Sequence, residues 1–163
     1  MITKSLNLAD PDFLSSFNEY CLFSKPYKNL ECGSISLREE NIKKYLKTLK
    51  NESDLIDSAI NKNNKHSFFL FTKKKEDHLE IQFLFPNRLI KQTSKETVKS
   101  FYLLCIKQLE ASGYEFLKGE ILRNHKKQSY KKFLKRFVRA VSFDNENNIT
   151  IHKEKLIKEY EKM

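Results

Sequence analysis

Two residues of this sequence are candidates for acid–base chemistry, Glu80 and His125. Glu80 lies within the apolar run 78–85, where a carboxylate could deprotonate an amine directly or through a water molecule. His125 lies in a basic stretch, and a base there would need a substrate proton within hydrogen-bond reach. The alternating pattern of the run also fits a structural, outward-facing Glu80, and this is the favoured interpretation.

Other kinds of site are excluded by residue spacing. The four histidines are scattered, and the three cysteines are widely spaced without a CxxC pair. The sequence therefore predicts no metal site. It also contains no Ser/His/Asp set, phosphate-binding loop or dinucleotide fingerprint. Cys105 falls on an apolar helical stripe, which is typical of a buried thiol that acts as a small hydrophobic residue.

The most informative region predicts a strand, a long helix and a second strand. The first strand covers 78–85, and Thr93 with Glu96 forms a capping box for the helix. Gly113 suits the left-handed position after the helix, and the second strand covers 114–122. A connection of this length predicts a parallel, right-handed crossover. The apolar residues of the helix recur at helical spacing: Val98, Phe101, Tyr102, Cys105 and Leu109.

A further helix is predicted to begin near Ser129, followed by a closing hairpin that joins Phe143 to Ile149 and Ile151. The residues expected on its apolar face are Tyr130, Phe133, Leu134, Phe137, Val138 and Val141. We expect Phe101, Cys105 and Leu109 of the long helix to be buried against a sheet. The same is expected of Phe133, Phe137 and Val141 of the later helix.

The upstream chain predicts several shorter elements. Ser53 is expected to cap the second of two short helices, and the strand before residue 78 is expected to form an antiparallel hairpin with the next strand. In order, the predicted elements are a helix from Asp10, a strand at 34–37, a helix at 39–49, a helix at 55–60 and a strand at 67–72.

The net charge of +10 is unevenly distributed. Between Lys118 and Arg139 there are nine Lys and Arg residues against one acid, Glu120. Such an excess attracts polyanions, so this segment predicts contact with DNA or RNA without sequence preference, or with an acidic protein surface. A solvated helix face is an equally good interpretation. The candidate residues are Lys126, Lys127, Lys131, Lys132, Lys135, Arg136 and Arg139.

The order of elements over residues 34–152 resembles the GNAT acyltransferase superfamily. The segment 120–124 followed by 129–135 is similar to the family's fifth strand, its asparagine (Asn124 here) and the helix that packs beside acyl-CoA. The resemblance implies an α/β (α+β) fold with a mixed central sheet flanked by helices. One strand of the family's usual set, before the long helix, is not evident.

The resemblance predicts one domain over residues 1–163. Within it, 1–33 is expected to form an N-terminal helical extension, 34–152 the core and 153–163 a C-terminal helix. The 13 Phe and 7 Tyr residues provide enough apolar surface for such a core. No apolar run approaches the roughly 20 residues of a membrane span, and no signal peptide is evident, which predicts an intracellular protein.

The sequence departs from the family where the cofactor would bind. The family uses a glycine-rich loop before the long helix to hold the CoA pyrophosphate, but residues 87–94 contain no glycine. The capping box also occupies amides that the phosphate needs. We therefore expect no cofactor, with acetyl-CoA as the alternative. If acyl-CoA binds, the resemblance assigns it to Arg88, Lys91, Thr93, Ser94 and Asn124.

Residues 129–135 also resemble a segment of small GNAT-like internal virion proteins of short-tailed phages. The prediction is a degenerate GNAT-like protein that acts by binding. Its expected partners are other protein subunits, with non-specific nucleic acid as a second partner, in the host cytoplasm or the virion. The alternative is an acyl-CoA-dependent N-acetyltransferase.

Overall fold

The computed structural model describes residues 2–23, 35–120, 140–143 and 148–163. These residues form one mixed sheet of seven strands in the order β1-β2-β3-β4-β5-β7-β6. Adjacent strands are antiparallel except β4 and β5, which run parallel. The strands are β1 (Ile2–Ser5), β2 (Leu55–Ile60), β3 (His66–Lys74), β4 (Leu79–Pro86), β5 (Phe116–Glu120), β6 (Val141–Phe143) and β7 (Asn148–His152).

The described helices cover the two faces of this sheet. They are α1 (Pro11–Phe23), α2 (Ile35–Glu52), α3 (Ser94–Ser112) and α4 (Lys153–Glu161). α3 and α4 lie on one face, and α1 and α2 lie on the other. The predicted fold class, a mixed sheet flanked by helices, is confirmed. The division into 1–33, 34–152 and 153–163 stays a prediction, although β1 and α1 contribute to the same sheet and core.

The long helix has both predicted ends. The Thr93 hydroxyl accepts the Glu96 N–H at 3.1 Å, and the Glu96 carboxylate accepts the Thr93 N–H at 2.8 Å. Gly113 adopts a φ of 76°, and its N–H donates to the Leu109 carbonyl at 2.9 Å. A residue with a Cβ would be strained in that left-handed conformation, which explains the glycine. The predicted β3–β4 and β6–β7 hairpins and the parallel crossover from β4 to β5 are also present.

Three local predictions are wrong. Residues 55–60 form β2 rather than a helix, because the segment pairs with β1 and β3. Its apolar pattern is so short that it fits both the helical and the strand period. Residues 35–37 begin α2 rather than forming a strand. Val141 is not helical but starts β6, where it pairs with Ile151 and is half-buried.

The face covered by α3 and α4 has an aliphatic core. The predicted burial of Phe101, Cys105 and Leu109 is confirmed. Burial raises the pKa of the Cys105 thiol, which keeps it protonated and apolar. The predicted contacts of Phe133 and Phe137 lie outside the described residues. Other members of this cluster are Phe68, Leu70, Leu79, Leu104, Leu117, Ile151 and Leu156.

The opposite face is packed with aromatic rings. Phe69 and Phe85 stack with centroids 4.7 Å apart, and Phe13 of α1 meets Phe69 edge-on at 5.2 Å. Such offset and edge-on contacts stabilise a core beyond the area that they bury. We call this set the aromatic cluster: Phe13, Phe17, Tyr20, Phe69, Phe71, Phe83 and Phe85.

β4 contains a bulge that changes which of its residues lie on each face. Ile81 packs on the α3 face and Phe83 in the aromatic cluster, although strict alternation would place them on one face. The β3–β4 register skips Gln82, which is the extra residue of the bulge. A single alternation over this strand, as the sequence predicts, is therefore wrong.

Replacing Phe17 by Ala tests the aromatic cluster. Phe17 is fully buried, and its loss should lower the free energy of unfolding by about 3–5 kcal/mol. Urea denaturation measures the change. Lys47→Ala, at an exposed position of α2, is the control and should stay within about 0.5 kcal/mol of the parent. A Phe17→Ala loss below about 1 kcal/mol would contradict this packing.

Candidate functional site

The candidate site lies where β4 and β5 run parallel and their described ladder ends. Only Leu79 with Leu117 and Glu80 with Lys118 are paired between them. Just past these pairs Ile81 packs over Gly119, where an added Cβ would lie 3.1 Å from the Ile81 Cβ. β4 then continues to Pro86, so its carboxyl end leads into the loop that precedes α3. The carboxyl ends of parallel strands are a common place for ligand sites in α/β sheets.

The loop from Asn87 to Gln92 is held by buried hydrogen bonds. The Asn87 side chain donates to the His66 carbonyl at 2.9 Å and accepts the Leu89 N–H at 2.9 Å. The Gln92 amide donates to the Ser67 carbonyl at 3.0 Å and accepts the Ser67 hydroxyl at 2.5 Å. Ser67 is in turn 2.6 Å from the Ser100 hydroxyl of α3. These bonds fix the loop to β3 and α3 without glycine.

The start of α3 retains part of an anion site. Four amides at a helix N-terminus have no partner within the helix. Here Thr93 and Glu96 use their own amides in the capping box, whereas those of Ser94 and Lys95 donate to no protein acceptor within the described chain. The Glu96 carboxylate also lies at this end of the helix, where it already interacts favourably with the helix dipole. A second anion would meet like-charge repulsion.

The side chains expected to replace the missing glycines face outward. Arg88, Lys91, Thr93 and Ser94 are all exposed. The Arg88 guanidinium lies 4.7 Å from the ring centroid of Tyr20, so a cation–π contact holds it against α1. The structure therefore brings four of the five predicted cofactor residues to the loop before α3 and the start of that helix. Their role stays a prediction.

Glu80 is partly exposed and already has neighbours. Its carboxylate accepts the Gln82 side-chain amide at 2.7 Å and lies 3.9 Å from the Lys75 ammonium. A pair at that distance on the surface contributes little stability. Glu80 could still exchange a proton with a solvent-borne substrate, and its catalytic role stays a prediction.

The other predicted site residues lie outside the described residues. They are His125, Asn124 and the polyanion candidates Lys126, Lys127, Lys131, Lys132, Lys135, Arg136 and Arg139.

The structure assembles a Ser/His/Asp set that sequence analysis did not find. The Ser58 hydroxyl lies 2.8 Å from His66 Nδ1, and His66 Nε2 lies 2.9 Å from Asp10 Oδ2. Ser58 is fully buried, so a substrate has no access to its hydroxyl. Asp10 Oδ1 also accepts the Asp12 N–H at 2.9 Å, which caps α1. The set therefore ties the start of α1 to the β2–β3 hairpin rather than forming a nucleophile.

A second polar network joins α3 to the sheet. The buried Gln108 side chain accepts the Thr72 hydroxyl at 2.6 Å and donates to Asp57 at 2.9 Å and to the Leu70 carbonyl at 3.1 Å. Burial raises the pKa of the Asp57 carboxyl, and the Gln108 hydrogen bond opposes that shift. Every polar atom of Gln108 is thus satisfied, as a buried amide requires. This network therefore positions α3 on the sheet.

Two kinds of feature are absent from the part of the chain that the structure describes. It contains no group of three or more His, Cys, Asp or Glu residues that could hold a metal ion. No helix within it is both long enough and apolar enough to cross a membrane.

Comparison with known proteins identifies the fold. No protein-family model matches the sequence, and no curated protein matches it. Solved structures do match. A putative GNAT-family acetyltransferase from Desulfovibrio desulfuricans is 12% identical, with a TM-score of 0.56 over 92% of this chain and 94% of that chain. The PaiA N-acetyltransferase from Thermoplasma acidophilum, in complex with coenzyme A, is 14% identical, with a TM-score of 0.54 over 91% and 96%.

A third match is the aminoglycoside 6′-N-acetyltransferase from Enterococcus faecium, which is 10% identical. Its TM-score is 0.54 over 93% of this chain and 94% of that chain. The chain therefore has the GNAT fold, as its sequence predicted.

The Asp10 contact predicts a pH dependence of stability. The hydrogen bond from His66 holds the pKa of the Asp10 carboxyl below its usual value of 3.8, although desolvation opposes this. A lowered folded-state pKa contributes stability that is present above pH 3.8 and is lost as pH falls below it. Asp10→Asn should therefore lower the free energy of unfolding at neutral pH. It should also make that free energy decrease less as the pH falls.

Urea denaturation between about pH 5 and pH 2 measures this effect. Asp12→Asn is the matched control, because it changes an exposed carboxylate in the same turn and leaves the His66 contact intact. If the free energy of unfolding decreased equally with falling pH in the parent and in Asp10→Asn, this role of Asp10 would be contradicted.

Proposed function

We propose that this GNAT-fold protein acts by binding a macromolecular partner and does not transfer an acyl group. The observation that carries the proposal is the reciprocal capping box at the start of α3. Thr93 and Glu96 satisfy each other's amides at 3.1 and 2.8 Å. To use the amides of Thr93 and Glu96, a CoA pyrophosphate would have to displace an anionic carboxylate and break both bonds.

The loop geometry supports the same conclusion. A phosphate cradle needs backbone amides that point at the anion and close approach of the chain, which glycine allows. Here the Leu89 amide is used by Asn87, and the loop is tied inward by Gln92. Arg88 is held against Tyr20 by its cation–π contact. Phosphate binding would therefore depend on long, exposed side chains and two amides.

The second candidate function is acetyl-CoA-dependent N-acetylation. The free amides of Ser94 and Lys95 favour it, because a pair of N–H groups at a helix start can still receive an anion. The PaiA match, whose structure contains coenzyme A, favours it as well. In that case Glu80 would be the base, and Arg88, Lys91, Thr93, Ser94 and Asn124 would hold the cofactor.

For the partner, the sequence offers the basic segment that follows β5. It carries a net charge of +8 between Lys118 and Arg139. We propose that this segment docks on a polyanion, either nucleic acid or an acidic protein subunit. We propose a phage particle or the cytoplasm of its host as the site of action, which the resemblance of residues 129–135 to internal virion proteins supports.

Calorimetric titration with acetyl-CoA tests the proposed function. We expect no saturable binding up to about 1 mM, which corresponds to an affinity weaker than about −4 kcal/mol. Micromolar binding that is lost in Lys91→Ala, at an exposed loop position, would contradict the proposal and favour the acetyltransferase.

A matched variant asks whether the capping box is the cause. Thr93→Gly/Glu96→Ala frees both amides and removes the anion, at a cost in helix stability of about 1–2 kcal/mol. We expect this variant to bind acetyl-CoA measurably better than the parent. No gain would mean that the capping box is not what prevents binding.

Charge reversal tests the basic segment. We expect the parent to retain duplex DNA weakly at low salt and to lose it near physiological ionic strength, where the Debye length is about 8 Å. Lys132→Glu/Arg136→Glu should weaken retention on a DNA column with unchanged thermal unfolding. Unchanged retention, or none in the parent at low salt, would assign these residues to a solvated face.

A further inference from the structure

The surface that carries a further inference is the outer side of the loop between β4 and α3. Arg88, Leu89 and Lys91 project from the loop, and Lys95 follows on the first turn of α3; we call these four residues the loop surface. All four are exposed, and Leu89 keeps 52% of its accessible area. Among large apolar residues in the described chain, only Ile2 and Phe116 are also classed as exposed.

This surface is preorganised. Asn87, which is 6% exposed, accepts the Leu89 N–H and so sets the turn that presents the leucine. Gln92 fixes the other end of the loop to Ser67. A loop that is already ordered loses little conformational entropy when a partner binds. The exposed Leu89 therefore projects from a loop whose backbone is already ordered.

The charged side chains of the loop surface are all cationic, and the anionic Glu96 carboxylate follows Lys95 directly. None of Arg88, Lys91 and Lys95 forms an ion pair with another described residue. The nearest carboxylate in sequence, Glu96, is used by the Thr93 amide. Three positive charges without an ion-pair partner, of which Arg88 also contacts the Tyr20 ring, surround one apolar side chain. They are complementary to a partner that offers negative charge beside an apolar crevice.

We propose that the loop surface binds duplex DNA, with Lys91 and Lys95 on backbone phosphates and Leu89 inserted at the minor groove. Leucine is one of the apolar side chains that proteins insert between base steps there, with flanking cations on the phosphates. A protein partner fits less well, because Lys is depleted from interfaces and Leu is under-represented among binding hot spots. The chain's net charge of +10 favours the same partner.

This inference rests on the proposed function, because a bound acyl-CoA would cover the same loop. It narrows the partner to duplex DNA and adds contact residues that are distinct in sequence from the basic segment after β5. The two contributions differ in kind: the cations add a salt-dependent term, whereas Leu89 adds an apolar term that salt leaves largely unchanged.

Fluorescence anisotropy with a labelled DNA duplex of roughly 20 base pairs tests the proposal, over about 20–150 mM salt. Lys91→Gln/Lys95→Gln should lower the slope of log K against log salt by about 2. Leu89→Ser should weaken binding about tenfold with the slope unchanged. Lys47→Gln/Lys50→Gln, a change of equal charge on exposed positions of α2, should change the slope by less than about 0.5.

Three results would overturn the proposal. The α2 control could match the loop variant, which would reduce the effect to net charge. Leu89→Ser could bind like the parent, which would remove the apolar contact. Polyglutamate of equal charge could compete as well as unlabelled duplex, which would assign the surface to acidic proteins. Failure of the proposed function would appear separately, as acetyl-CoA binding in calorimetry, whatever these variants do.

Discussion

The reciprocal hydrogen bonds between Thr93 and Glu96 fix the residue at which α3 begins, and much of the molecule depends on that position. α3 contains ten buried residues, from Val98 to Leu109, on one face of the sheet. The same bonds occupy the helix end that GNAT enzymes are expected to offer to pyrophosphate. One local motif thus stabilises the fold and removes part of an anion site.

The rest of the sheet is built around that helix by two different kinds of contact. On the α3 face, Gln108 and Ser100 connect the helix to β3 through buried hydrogen bonds, and a buried polar group is costly unless it is paired in this way. On the opposite face, aromatic rings of β3, β4 and α1 pack with little polar content. Because of the bulge at Gln82, Leu79 and Ile81 of β4 lie on the α3 face, whereas Phe83 and Phe85 lie in the aromatic cluster. The start of α1 is fixed by Asp10 and His66.

The sequence predicted those features that depend on local chemistry. The capping box and Gly113 are set by a few adjacent residues, and the α3 stripe by helical periodicity. β2 was missed because its pattern fits two periods over six residues, and only pairing with β1 and β3 decides between them. The bulge in β4 was missed because one skipped residue leaves the composition of a strand unchanged. At the candidate site, loop residues 88–94 were predicted from the order of elements alone.

The Ser58–His66–Asp10 set shows the limit most clearly. Its members are separated by up to 56 residues, so no local spacing points to it. Its burial, which excludes substrate, is equally invisible before the fold is known. Residue types alone therefore do not identify a catalytic site, since this complete Ser/His/Asp set connects two parts of the structure. The Ser58 hydroxyl is buried, whereas Arg88, Leu89 and Lys91 of the loop surface are exposed to solvent.

The central claim, that the start of α3 does not receive acyl-CoA, is tested most directly by the amides themselves. In an NMR titration with acetyl-CoA, the assigned N–H signals of Ser94, Lys95 and Glu96 report an anion at this helix end. The account predicts no saturating shift of these signals up to about 1 mM ligand. Saturable shifts centred on Ser94 and Lys95, at micromolar ligand and with loss of the Thr93–Glu96 bonds, would contradict it.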